Sequence, residues 1–208
     1  MKIYLLLGHP DKDSLNGNIA EAYYRTAVEK GHEVRIQRLG EMAFDPILWK
    51  GYRRIQELEP DLKQAQQNIT WCDRWVIVFP MWWGNLPALL KGFLDRTLHP
   101  GYAFKYHDKG PFWDKLLKGR SAELISTSDG PWWWNWWQYR NCDFTALKTA
   151  TLEFCGVYPV KTTRISGVRN LNNQQLQKKI QKICAAIQPS SNASPGPLST
   201  GNPDTPVD

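Results

Sequence analysis

Two kinds of hydrophobic pattern alternate along the chain. Short apolar runs, of the kind that strands show, end in turns rich in Gly, Pro, Ser or Asn; they cover residues 2–7, 32–39, 75–79, 120–127 and 157–165. Apolar residues at helical spacing follow them in residues 15–27, 61–71, 86–98, 144–154 and 171–187. This alternation predicts a doubly wound α/β domain with a five-stranded parallel sheet in the order 2-1-3-4-5. Residues 40–60 are predicted to form a long connection with short helical pieces, and residues 99–119 a loop.

Composition sets the domain limits. The 208 residues are enough for one domain, residues 1–188, after which Pro, Ser, Gly, Asn and Asp dominate and predict a disordered tail at residues 189–208. There is no apolar stretch of about 20 residues and no signal peptide, so the expected location is cytoplasmic. The four cysteines are widely spaced, and no metal site is expected. The formal net charge is +6, but the scattered Lys and Arg residues indicate a solvated surface and no nucleic-acid partner.

The pattern of the stretch that begins at Val76 predicts a strand, a loop and a helix. Pro80 ends the strand, and Met81 and the aromatic residues Trp82 and Trp83 follow at a sharp turn. Loops at the carboxyl ends of parallel strands form the ligand crevice, so these side chains are expected to line a flat ligand. The alternative is that one Trp packs under the loop while the other is exposed without a role.

Two further loops meet the aromatic loop in the proposed strand order. The first, residues 8–18, places Ser14 and Asn16 at a helix start, where an anion such as phosphate is stabilised; Ser14 as a simple helix cap is the alternative. His9 is either a phosphate donor or a structural histidine. The third loop, residues 126–130, has hydroxyl groups suited to the polar edge of a heterocycle. No nucleophile, metal or Gly-rich phosphate motif is present, which favours chemistry supplied by a cofactor.

These motifs together resemble the flavodoxin-like NAD(P)H:quinone oxidoreductases, a family that includes quinone reductases, drug-activity modulators and ancillary subunits of potassium-efflux systems. The resemblance covers residues 2–187 and is carried by Gly8-His9-Pro10 with Ser14-Leu15-Asn16, Phe79-Pro80-Met81-Trp82-Trp83, Pro87-Ala88-Leu89-Leu90-Lys91-Gly92-Phe93, Asp95-Arg96, Gly101-Tyr102-Ala103-Phe104 and Phe154-Cys155-Gly156. It implies a flavodoxin-like three-layer fold.

The resemblance also implies a bound flavin, contacted at three places. His9, Ser14, Leu15 and Asn16 would hold its phosphate end. Pro80, Met81, Trp82 and Trp83 would lie along the isoalloxazine, and Ser126, Thr127, Ser128 and Asp129 would contact its polar edge. The family mechanism is ping-pong hydride transfer, with NAD(P)H as co-substrate and a quinone or similar small molecule as acceptor. Because FAD-dependent members often carry a larger C-terminal part, FMN is favoured and FAD is the alternative. A homodimer is expected.

The third loop departs from the better-known members of the family. Residues 128–131 read Ser-Asp-Gly-Pro where the mammalian enzymes have a glycine pair, and no histidine follows His107. Ser128, Asp129 and Tyr139 are therefore the candidate catalytic residues, with Tyr139 in place of a family tyrosine. The segment Trp132–Trp137 either caps the nicotinamide or acceptor site or forms a partner interface. The alternative function is a flavin-binding regulatory subunit of a membrane potassium-efflux transporter; an electron-transfer flavodoxin is disfavoured by the net charge of +6.

Overall fold

Five parallel strands form the central sheet of the computed structural model, which describes residues 1–54 and 56–190. The strands are β1 (Lys2–Leu7), β2 (Glu33–Arg38), β3 (Arg74–Pro80), β6 (Ser121–Ser128) and β7 (Val160–Ser166), in the order β2-β1-β3-β6-β7. Once the short strands β4 (Phe104–Tyr106) and β5 (Trp113–Lys115), which form a separate pair, are set aside, this is the predicted order 2-1-3-4-5, which is confirmed.

Helices cover both faces of the sheet. On one face lie α1 (Leu15–Glu29) and α6 (Asn173–Ala185). On the other lie α2 (Pro60–Trp71), α3 (Ala88–Thr97) and the π-helical segment Thr145–Glu153, which continues from α5 (Cys142–Phe144). A short helix, α4 (Trp132–Trp137), follows β6. None of the helices in the described part of the chain is long and apolar enough to cross a bilayer.

The continuous apolar runs of β1 and β3 arise because both strands are buried on two faces. Successive side chains of a strand point to opposite faces. Tyr4 and Leu6 therefore join the core under α2 and α3, while Ile3, Leu5 and Leu7 join the core under α1 and α6.

Residues 99–119 contain an antiparallel hairpin where a loop was predicted, so that prediction was wrong. The hairpin consists of β4 (Phe104–Tyr106) and β5 (Trp113–Lys115). Its strands have three residues each, too few to show a periodic pattern, and their pairing is supported by distant contacts. Trp113 stacks on Phe154 with the ring centroids 4.4 Å apart.

The connection between β2 and α2 contains short 3-10 turns at Leu39–Glu41 and Gly51–Arg53, as predicted. A buried guanidinium group holds it to α3: Arg96 Nη2 lies 2.7 Å from Glu59 Oε2 and donates to the carbonyl of Glu57, and Nη1 donates to the carbonyl of Asp45. Burial acts to raise the pKa of Glu59, but hydrogen bonds from the Asp45 and Glu59 amides and the interaction with Arg96 outweigh it, and the pKa is lowered.

Most of the predicted tail, residues 191–208, lies outside the described residues, so its disorder stays a prediction. At its beginning, Ser190 N donates to the carbonyl oxygen of Lys30.

Candidate functional site

Within the described part of the chain, the first loop leaves unpaired amide groups at the start of α1, which make it a candidate anion site. Ser14 is the helix cap: its Oγ accepts from Gly17 N at 3.2 Å and donates to the carbonyl of Asp11 at 2.8 Å. The amide groups of Leu15 and Asn16 have no acceptor among the residues that the structure describes. Two free N–H groups at the positive end of a 15-residue helix are suited to a phosphate. Ser14 is therefore a cap and also lies at a potential phosphate site, and these two interpretations are compatible.

Gly17 keeps this loop close to the helix and was not anticipated from the sequence. A β-carbon at this position would lie 1.7 Å from the carbonyl oxygen of Lys12. No side chain fits there unless the loop moves away. The signal was available, because a glycine in the first turn of a helical pattern often marks a close backbone approach.

His9 links the first loop to the aromatic loop. Its Nδ1 lies 2.8 Å from the carbonyl oxygen and 2.9 Å from the amide nitrogen of Asp11, so the local backbone holds this nitrogen in either tautomer. The ring meets Trp82 edge to face, with the centroids 5.4 Å apart. Nε2 has no hydrogen-bond partner within the described ranges, which leaves it able to interact with a ligand.

The aromatic loop is a tight two-residue turn with a strained tryptophan at its tip. Trp82 and Asn85 exchange both backbone hydrogen bonds, and the two central residues, Trp83 and Gly84, have φ angles of +52° and +73°. This is the type I′ arrangement, in which Asn-Gly is preferred and a bulky first residue is costly. Trp83 is also fully exposed, at 101% of its reference area. A strained, exposed aromatic residue at the carboxyl end of a central strand indicates a functional role.

The predicted residues of the third loop are present, but their hydroxyl groups are buried and already bonded to protein. Ser126 Oγ donates to Asp143 Oδ2 at 3.2 Å, and Ser128 Oγ accepts from Asn135 Nδ2 at 2.7 Å. Thr127 Oγ1 lies 3.0 Å from the side-chain nitrogen of Asn16, which joins the third loop directly to the first. Asp129 is exposed. The hydroxyl groups therefore fix the shape of the loop. The backbone and the exposed Asp129, whose carboxylate lies 3.5 Å from the guanidinium group of Arg169, are the parts left to face a ligand.

A buried ion pair lies beneath the loops and was not anticipated from the sequence. Arg164 Nη2 is 2.6 Å from Asp143 Oδ1, and both side chains are almost fully buried. Arg164 Nη1 also contacts Met81 Sδ at 3.1 Å and Ser126 Oγ at 3.3 Å. One guanidinium group thus connects β7, β6, α5 and the aromatic loop. Because its partners are 21 to 83 positions away along the chain, spacing gave no signal for it.

An open cleft of about 740 Å³ lies between the aromatic loop and α4. Met81, Trp82 and Trp83 line one side, and the other residues that line it include Asp129, Trp133, Trp134, Tyr139 and Arg169. Tyr139 packs directly on the turn: a β-carbon on Gly84 would lie 3.3 Å from its Cδ1 atom. The structure thus brings two of the three candidate catalytic residues, Asp129 and Tyr139, to the cleft, and places Ser128 behind it.

The strand order defines a flavodoxin-like fold, and the candidate anion site after β1 and the aromatic loop after β3 lie at the switch point of its sheet. The family model described as the flavodoxin-like fold matches residues 1–187, and the chain belongs to this family. The resemblance inferred from the motifs is confirmed.

Three known proteins illustrate the similarity. The uncharacterized NAD(P)H oxidoreductase YcaK of Escherichia coli K12 is 30% identical over 166 residues, which cover 74% of this chain and 82% of that protein. NAD(P)H dehydrogenase [quinone] 1 of Cavia porcellus is 28% identical over 183 residues, 73% of this chain and 63% of that longer protein. The structure of an NAD(P)H:quinone oxidoreductase from Methanothermobacter marburgensis superposes with a TM-score of 0.76 at 22% identity, covering 89% and 94% of the two chains, and supports the fold alone.

Proposed function

We propose that this protein is an NAD(P)H-dependent flavin oxidoreductase that transfers two electrons, by a ping-pong mechanism, to quinones or similar small acceptors. The observation that carries the proposal is the strained, exposed Trp83 turn, which lies between a free anion site and a cleft of about 740 Å³. The printed names of the similar E. coli and Cavia porcellus proteins support the reaction class.

The residues present fit a flavin. The free amides of Leu15 and Asn16, with Ser14 and His9 beside them, would hold the phosphate end. Pro80, Met81, Trp82 and Trp83 would lie along the ring system, and residues 126–129 would present backbone groups and Asp129 to its polar edge. The bound flavin would supply the group that accepts and returns a hydride.

The candidate catalytic residues divide their tasks in this proposal. Ser128 holds the third loop in shape through Asn135. Asp129 and Tyr139 face the cleft, and the Tyr139 hydroxyl, which has no hydrogen-bond partner in the described part of the chain, can donate to a negatively charged ring edge. Trp133 and Trp134 cover the side where nicotinamide or acceptor would enter.

FMN is the proposed flavin, with FAD as the alternative. The nearest basic side chain of the first loop, Lys12, is paired with Glu41 at 3.0 Å. The helix start is therefore the main source of positive charge, and it suits one phosphate group better than an extended pyrophosphate. We further propose a cytoplasmic homodimer.

The test begins with the absorbance spectrum of the purified protein and chromatography of the cofactor released on denaturation. NADPH and NADH oxidation with a soluble short-chain quinone then measures turnover, with Tyr139→Phe as the variant and Tyr158→Phe, another exposed tyrosine, as the control. Tyr139→Phe should lower turnover by about a hundredfold or more, the effect expected when an active site loses one hydrogen-bond donor to developing negative charge. A yellow protein without turnover would refute the enzymatic proposal and favour the regulatory transporter subunit. A colourless protein that gains no activity from added FMN or FAD would refute the flavin site.

A further inference from the structure

Helix α4 has its polar residue inside and its apolar residues outside. Asn135 is completely buried and donates from Nδ2 to Ser128 Oγ at 2.7 Å and to the carbonyl of Gly130 at 3.4 Å. The exposed side chains of the helix are Trp132, Trp133, Trp136 and Trp137. A water-facing helix normally shows the opposite arrangement. Because the amide anchors the helix to the sheet, the indoles are held outward by the fold.

These indoles are continuous with the mouth of the cleft. Trp83, from the turn after β3, and Trp133, from α4, line the same cleft. We call Trp132, Trp133, Trp136 and Trp137 together the tryptophan surface. Contiguous exposed apolar area of this kind marks an interaction site, and tryptophan is the side chain most characteristic of the boundary between a lipid bilayer and water.

Basic side chains of the edge strand β7 and of helix α6 lie next to the tryptophan surface. Trp132, Trp136 and Arg164 line one hollow, and Arg164 also lines the next, together with Lys161, Lys179 and Lys182. Among the described residues, Lys179 and Lys182 have no carboxylate within 4.0 Å. Lys161 pairs with Glu123, the acidic residue of the second hollow.

We propose that the tryptophan surface and these lysines dock the protein on a bilayer that contains anionic lipids. The indoles enter the interface, the lysines meet the lipid phosphates, and the cleft opens toward the bilayer. The acceptor is then a quinone with a long isoprenoid tail that stays dissolved in the membrane. This second part rests on the proposed function, whereas the docking surface does not.

Vesicle flotation tests the docking surface with the full-length protein. Vesicles of phosphatidylcholine with about 30% phosphatidylglycerol should bind the protein, and phosphatidylcholine alone should bind it more weakly. Lys179→Glu/Lys182→Glu should weaken binding about thirtyfold or more, since each basic residue near an anionic surface changes the binding constant about fivefold. The charge-matched control is Lys50→Glu/Lys109→Glu, which should leave binding unchanged.

The contribution of the exposed indoles to vesicle binding also has a matched control. Trp136 and Trp49 are equally exposed, at 64% and 65%, but Trp49 lies far along the chain in the connection before α2. Trp136→Ser should weaken vesicle binding, and Trp49→Ser should not. Equal loss in both variants would overturn the proposal.

The acceptor is tested by comparing a soluble short-chain quinone with an isoprenoid quinone in vesicles. Lys179→Glu/Lys182→Glu should slow only the vesicle reaction. Turnover of the soluble quinone without any vesicle binding would overturn the docking inference and leave the proposed function intact. Vesicle binding without turnover of either quinone would refute the proposed function and leave the docking inference intact. If Trp136→Ser instead converts a dimer to a monomer in sedimentation and vesicles are not bound, the surface is a contact between copies of the chain, and the inference fails.

Discussion

Replacing Trp83 by asparagine should change stability and flavin binding in opposite senses. Trp83 has a φ of +52° at the first central position of a type I′ turn, where asparagine is preferred. The left-handed conformation costs an ordinary residue about 1–2 kcal/mol, and Asn bears less of that cost. Since the indole is fully exposed, its removal loses no buried area. The free energy of unfolding of the flavin-free protein should therefore rise by about 1 kcal/mol.

Flavin affinity should fall in the same variant. An aromatic contact contributes about 0.5–1.5 kcal/mol beyond the area it buries, so the dissociation constant should rise at least about two- to twelvefold. Thermal unfolding of the flavin-free protein, where the gain corresponds to about 2–4 °C, and fluorescence titration with FMN measure the two effects. Trp83→Ala is the control: it should lose the same affinity without the gain in stability, because alanine also disfavours positive φ. Unchanged FMN affinity in both variants would refute the placement of the ring along the aromatic loop.

Three further outcomes are expected. Gly17→Ala should abolish the phosphate site and weaken FMN binding at least tenfold, measured by titration, because the added methyl group would lie 1.7 Å from a carbonyl oxygen; binding at the native affinity would show that the first loop does not hold phosphate. The folded-state pKa of Glu59 lies below its ordinary value of 4.5, so its contribution to stability is present above that pH and is lost as the pH falls through the folded pKa. Urea unfolding from pH 7 to pH 3 should show a shallower loss of stability in Glu59→Gln than in the native protein, and parallel curves would contradict this. Burial raises the pKa of both Cys72 and Cys155 to about 12, so a disulfide reagent at pH 8 should modify the exposed Cys142 first, as peptide mapping would show.

The sequence was sufficient for the strand order because β1 and β3 are buried on both faces. Their side chains are apolar without interruption, and each run ends in a turn-forming residue such as Gly8 or Pro80. The buried side of helix α4 could not be predicted, because its repeated tryptophans show no alternation of apolar and polar residues. The hairpin of β4 and β5 was missed because its strands have only three residues each. Its pairing also depends on a stacking partner, Phe154, that lies about forty positions away.

The site was predictable at the level of loops and less so at the level of atoms. The sequence correctly indicated which three loops meet, because their strands are neighbours in the sheet. It could not show that the hydroxyl of Ser126 faces a buried ion pair, because the direction of a side chain depends on what packs above it. The buried charge of Arg164 was hidden for a similar reason: one arginine in an edge strand looks like a solvated residue until its partner Asp143 is placed.

The side-chain contact between Asn16 and Thr127 has a consequence for how the site is assembled. It joins the loops that follow β1 and β6, the two strands on either side of β3, and Met81 N donates to the carbonyl of Thr127 at 2.8 Å. The ends of all three strands are therefore held together by hydrogen bonds within the protein itself. In such a site, little of the free energy of ligand binding is needed to order the loops. Flavin association should accordingly follow a single kinetic phase, and the free and flavin-bound forms should have nearly the same backbone.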